Sequence, residues 1–197
     1  MSEMPERGLG MVEENEATGE VNTLYGTIKQ EFQVPQISNV IKTIANSPAA
    51  LQFYVDMLVS FYKNTALPQS LTALIFYAIS KKSDSSYFTA VHEMMGRQAG
   101  VDEETLKALP NHLDAIESER TRAIIEFALK AARSPQALNA KDYDRIRAFC
   151  PDNDEIMQII FVASIAVYLN VVANALKIEV DPELSDASGQ AGTLHRD

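Results

Sequence analysis

The sequence predicts an all-α fold, and three observations carry that prediction. Apolar residues recur at helical spacing through most of the chain. Serine, asparagine or aspartate ahead of proline, acidic or helix-favouring residues marks one helix start after another. No stretch alternates apolar and polar residues between hairpin turn signals, so strands are unsupported.

The elements follow in order. Residues 1–18 are acidic and weakly patterned, which predicts a flexible arm. Helices near 20–31 and 36–46 are separated at Val34-Pro35, because the residue before a proline is held extended. Ser47-Pro48 reads as an N-cap followed by proline at the first helical position. It opens a helix to Lys63 with Leu51, Val55, Leu58, Val59 and Tyr62 on one face. Leu67-Pro68 opens the next, through Leu71, Leu74, Ile75, Ala78 and Ile79. A polar break at Lys81-Lys82-Ser83-Asp84 precedes a helix from about Ser85 to Gln98, closed by Gly100. Asp102 caps a short helix, Ser118 caps Glu119 to Arg133, and Asn139 caps Lys141 to Phe149. A last long helix runs from Asp152 to about Leu176. Residues 19–182 are expected to form one domain, and residues 183–197 a disordered tail.

Composition narrows the function classes. The 197 residues are 46% hydrophobic and 22% charged, which excludes disorder throughout. A net charge of −10 argues against nucleic acid and anionic membrane surfaces, both of which need a basic footprint. The single cysteine, Cys150, excludes a disulfide within the chain and a cysteine-based zinc site. It reads as a small buried apolar residue. Gln158 to Leu176 is uncharged, near the ~20 residues of a membrane span. Ser164, Asn170 and Asn174 interrupt it, however, and Asp152, Asp154 and Glu155 precede it. The expectation is therefore a fully buried or subunit-facing helix, not a membrane span. The segment Met1 to Arg7 lacks the apolar core of a secretory signal, so the expected location is cytoplasmic.

Few residues carry candidate chemistry. His92, His112 and His195 are far apart and form no HExxH pattern, so neither a metal nor a cofactor is expected. Glycine-rich phosphate loops are absent. The acidic sets Glu13-Glu14-Glu16, Asp102-Glu103-Glu104 and Asp152-Asp154-Glu155 read as first-turn charges or solvated arm residues. Ser85 and His92 share a helix face but lie about two turns apart, ~10 Å along the axis, too far for a direct Ser–His bond. Asp84, Ser85 and Ser86 read as caps of that helix. His92 itself shares a face with Phe88, four residues before it, and Gly96, four after.

The run from Leu67 to Leu109, LPQSLTALIFYAISKKSDSSYFTAVHEMMGRQAGVDEETLKAL, resembles the alkyl hydroperoxidase D and carboxymuconolactone decarboxylase superfamily in its peroxidase-related branch. The closing stretch YLNVVANALKIEVDPEL resembles that superfamily's last helix, with Lys177 in place of a glycine. Tyr25 to Leu58, with Val34-Pro35 and Asn46-Ser47-Pro48, resembles the longer members. The resemblance implies an AhpD-like helical bundle over most of residues 20–182, assembled into a homo-oligomer.

In the peroxidase branch the motif is a glutamate upstream of Cys-x-x-Cys-x-x-x-His. Anchored on His92, the first cysteine position holds Ser85, the second Phe88, and the glutamate position Ala73. Only His92, with Tyr87 inside the motif, matches. Serine cannot replace a thiol in a cycle that closes as a disulfide. The resemblance thus implies a non-redox binding or structural homologue, with an apolar ligand pocket beside Ala73, Ser85, Tyr87, Phe88 and His92. Two other readings stay open. One is an enzyme without thiol chemistry, decarboxylase- or isomerase-like, with His92 as general acid/base. The other is a residual peroxidase acting through Cys150.

Overall fold

The computed structural model describes residues 9–184, and among these there are helices and no strand. They divide into two compact units. One holds residues up to Thr65 together with 173–181, the other residues 66–172 with the residues after 181.

In the first unit, α1 (Gly19–Phe32) buries Val21, Leu24, Tyr25 and Ile28, a stripe at helical spacing. It packs on α3 (Pro48–Asn64), as does the short α2 (Asn39–Ile44). The Ser47 hydroxyl accepts from the Ala50 N–H at 3.3 Å and Pro48 occupies the first turn, as the sequence predicts. α2 is shorter than expected, and its cap comes from far along the chain. Asp181 Oδ1 accepts from the Asn39 N–H at 2.8 Å, while Ser38 makes no side-chain cap bond.

The described part of the expected arm, residues 9–18, contacts α1 and the segment around α2. Asn46 Nδ2 donates to the Gly10 carbonyl at 2.6 Å, and the Val12 N–H to the Lys42 carbonyl at 3.0 Å. Tyr25 donates its hydroxyl proton to the Val12 carbonyl at 2.8 Å. Glu13 pairs with Lys42 at 2.8 Å. Glu14 pairs with Lys29 and accepts the Ile37 N–H at 2.8 Å, and the lysine holds its carboxyl below the usual range. Acidic residues read as solvated are matched instead by lysines of α1 and α2.

In the second unit, α4 (Gln69–Lys82) is the central element. Every residue from Leu71 to Ser80 is buried. It packs against α5 (Ser86–Gln98) and α7 (Glu119–Arg133). Leu74, Tyr77 and Ala78 of α4 share a core with Leu106, Leu109, Ile116 and Ile125. α6 (Glu103–Ala108) is capped by Asp102, which accepts from the Thr105 N–H at 2.7 Å. α7 is capped by Ser118, which accepts from Thr121 at 3.2 Å. α8 (Ala140–Arg147) opens on a capping box in which Asn139 Oδ1 accepts from the Lys141 N–H at 3.0 Å and Asp142 Oδ2 accepts from the Asn139 N–H at 2.9 Å.

Three helices end in the same way. At Gly100 (φ 78), the Gly100 N–H reaches the Arg97 carbonyl and the Val101 N–H the Gly96 carbonyl, the paired bonds of a Schellman motif. The same pair closes α4 through Asp84 (φ 49), where the Asp84 N–H reaches Lys81 and the Ser85 N–H reaches Ser80. It closes α9 (Asn153–Leu176) through Lys177 (φ 51), where Lys177 reaches Asn174 and Ile178 reaches Ala173. Only the first uses the glycine that this left-handed position favours.

α9 is the one helix among the described residues long and apolar enough to cross a membrane, and half of its most apolar window is buried. Ile159, Val162, Ala163, Ala166 and Leu169 are buried, while Met157, Phe161 and Val171 are about 60% exposed. Of the expected fully buried or subunit-facing helix, that exposed apolar face fits only the subunit-facing form. Of the expected tail, residues 185–197 lie outside the described residues.

Candidate functional site

The α4–α5 corner builds the site. The Schellman motif at Asp84 turns the chain within three residues, so Ser85 follows α4 directly and stands as the N-cap of α5. Phe76 and Ser80 lie four apart on one face of α4, one turn beyond Ala73, which is fully buried. Phe88 and His92 lie four apart on α5. Packing α4 on α5 brings these faces together.

His92 is 2% exposed, and two phenylalanine rings stack on it. Phe76 stacks on it at 4.7 Å between ring centroids with the planes 13° apart. Phe88 does so at 5.3 Å and 19°. The Ser80 hydroxyl lies 3.0 Å from Nδ1. Burial pushes the imidazole pKa down to about 3, and hydrogen bonding to the Phe76 backbone opposes this only in part. The ring is therefore neutral at pH 7, one nitrogen donating and the other accepting.

The other motif positions surround this stack. Tyr87, 2% exposed, meets Phe88 edge-on at 5.1 Å and 84°. Ser85 is 1% exposed, and its hydroxyl makes no hydrogen bond. The reading of Ser85 as a side-chain cap is corrected: it holds the cap position without bonding the first turn of α5. Glu93, adjacent to His92, turns away to pair with Arg97 at 2.8 Å.

Sequence reasoning missed Phe76 and Ser80. Their signal was faint: a lone serine and an aromatic one turn apart in an apolar helix. Only the α4–α5 pairing gives them His92 as a partner.

Cys150 is fully buried. Burial, and a hydrogen bond to the Glu155 carboxylate, push its thiol up to about 11. Glu155 also pairs with Arg120. A groove of about 180 Å³ lies between α7 and α8, and its charges are matched, Lys130 to Asp142 at 2.7 Å and Arg145 to Glu126 at 2.6 Å. Among the described residues, no group of three or more His, Cys, Asp or Glu is placed to hold a metal.

Comparison with known proteins bears on the fold. An uncharacterized peroxidase-related protein from Ralstonia eutropha JMP134, described as an alkylhydroperoxidase AhpD core, superposes with a TM-score of 0.80 over 92% of this chain and 95% of its own, at 18% identity. The chain has the alkylhydroperoxidase D core fold. A second AhpD-like structure, an uncharacterized peroxidase-related protein from Silicibacter sp. TM1040, gives 0.79 over 93% and 96%, also at 18% identity. The debrominase Bmp8, as a cysteine-to-alanine variant with 2,3,4-tribromopyrrole, gives 0.77 over 94% and 98%, at 14% identity. No family model matches the chain, and no curated protein does. At these identities the AhpD-like likeness is one of fold.

Proposed function

We propose that this chain is a non-redox protein on an AhpD-like scaffold, a binding or structural homologue whose thiol peroxidase motif is degenerate. The observation that carries this reading is the fate of the motif positions. Ser85, Phe88 and Ala73 offer no thiol and no carboxylate, and His92 is buried and stacked with Phe76 and Phe88 instead of facing an open cleft. The site's groups serve packing and apolar contact. Aromatic side chains of this kind are common partners of small apolar ligands. Bmp8, of the same fold, is described with a brominated pyrrole bound.

The two other readings draw less support. A general acid/base works best with a pKa near the operating pH, and His92 at about 3 is far below it. At pH 7 a thiol at about 11 is thiolate in only ~1 molecule in 10,000, a poor start for attack on peroxide.

The test is peroxide consumption by the purified chain with excess dithiothreitol or dihydrolipoamide. The expected rate equals background, and Cys150→Ser leaves it unchanged. Turnover that vanishes in Cys150→Ser contradicts the reading.

The same proposal takes the protein to be cytoplasmic, without nucleic-acid or membrane partners, and self-associating through the exposed face of α9. Met157, Phe161 and Val171 form an exposed apolar stripe on a helix that carries no charged residue from Gln158 to Leu176. Phe161→Asp is expected to lower the mass measured by light scattering to that of one chain. An unchanged multimer, or a wild type that is already a single chain, removes this surface from the account.

A further inference from the structure

The groove between α7 and α8 has no part in the reading above. Its volume is about 180 Å³. An apolar cavity of about 150 Å³ accepts benzene, so the space is of the size of a single ring with a small substituent. The floor is apolar: Ala123, Phe127 and Ile146 are buried and line it. Tyr143 meets Phe127 edge-on at 5.4 Å, which holds that ring in place.

The charged groups lining the groove are unequally committed. Asp142 accepts from Lys130 Nζ on both oxygens, at 2.8 and 2.7 Å, and from the Asn139 N–H at 2.9 Å. That pair is tied into the cap of α8. Arg145 is held more loosely. Its side chain is 61% exposed, and its ion pair runs from Nη1 to Glu126 Oε2 at 2.6 Å. A guanidinium carries five N–H donors in a planar fork, so one such contact leaves an edge for a second carboxylate. Exposed pairs of this kind hold weakly and exchange readily. The surrounding charge has the matching sign. Residues 123–147 carry five of the chain's 17 lysines and arginines against three of its 27 acids. The local balance is positive on a chain of net charge −10.

We propose that the α7–α8 groove binds a small carboxylic acid, its apolar or aromatic body on Phe127 and Ile146 and its carboxylate on Arg145. Glu126 competes for the same guanidinium and keeps the affinity modest. The site shares no residue with the degenerate motif and stands whether or not that motif is redox-silent.

Sodium benzoate is the probe, titrated into the isotope-labelled full chain at constant ionic strength, with benzyl alcohol as its uncharged counterpart. Benzoate is expected to move the amide signals of α7 and α8 saturably, with a Kd on the order of 1 mM. Benzyl alcohol binds about tenfold more weakly or less. Arg145→Gln, at an exposed position, weakens benzoate by about tenfold or more and leaves benzyl alcohol unchanged. Glu126→Gln removes the competing carboxylate and tightens benzoate by about two- to fivefold. Three results overturn the proposal: no saturable shifts at α7 and α8, benzyl alcohol bound as tightly as benzoate, or Arg145→Gln without effect. Weaker benzoate binding in Glu126→Gln overturns it as well, because the intact ion pair, not a shared guanidinium, then makes the site. Peroxide turnover contradicts the non-redox reading and leaves the benzoate result standing.

Discussion

His92→Ala is expected to destabilise the protein by about 3–4 kcal/mol, read from urea unfolding. The substitution opens a cavity beside Phe76 and Phe88, forfeits both stacked contacts and strips the Ser80 hydroxyl of its partner. His92→Phe keeps the stack and loses only the hydrogen bond, so its cost falls to about 1–2 kcal/mol. A histidine kept for catalysis in an open cleft behaves otherwise, with stability changing by roughly 0.5 kcal/mol or less on replacement.

The same burial makes the fold sensitive to acid. An unfolded histidine titrates near 6.5, and His92 in the folded chain near 3. On acidification the unfolded state takes up the proton first. The stability linked to His92 is thus fully present above pH 6.5 and falls as pH drops, by about 1.4 kcal/mol per pH unit, until the folded ring itself protonates near pH 3. Glu14, Asp102, Glu103 and Asp142 have pKa values held below the ordinary carboxylate range, by hydrogen bonds to Lys29, Thr105, Arg97 and Lys130 respectively. Their contribution is lost only at lower pH, so the window from 6.5 to about 5 belongs to His92. Unfolding free energy across it is expected to slope in the wild type and flatten in His92→Phe. A slope shared equally by both proteins places the effect elsewhere.

What the sequence disclosed and what it hid separate along local and distant lines. Helix starts were legible at Ser47, Asp102, Ser118 and Asn139, because each cap bonds a residue two or three positions on. The C-terminus at Gly100 was legible because glycine advertises a left-handed residue. Asp84 and Lys177 perform the same turn without that signal. The pairings of Glu14 and Glu13 with Lys29 and Lys42 are not legible because they form only through folding, and the cap of α2 is not legible because Asp181 lies 142 residues from Asn39.

The candidate site shows the same division. Phe88 under His92 follows from helical spacing alone. Phe76 and Ser80 require knowing the register of α4 on α5. The resemblance supplied the motif positions, and the structure supplied their surroundings: a stack of rings at His92, and a bare hydroxyl at Ser85 where a cap was expected.

What matters most is whether His92 is a packed, neutral core residue. An NMR titration of the His92 ring nitrogens in the folded chain tests it most directly. One neutral tautomer is expected, held without change from pH 8 down to the onset of acid unfolding. A ring that titrates reversibly near 6.5 while the protein stays folded contradicts it, and returns His92 to the role of a solvent-reachable acid and base.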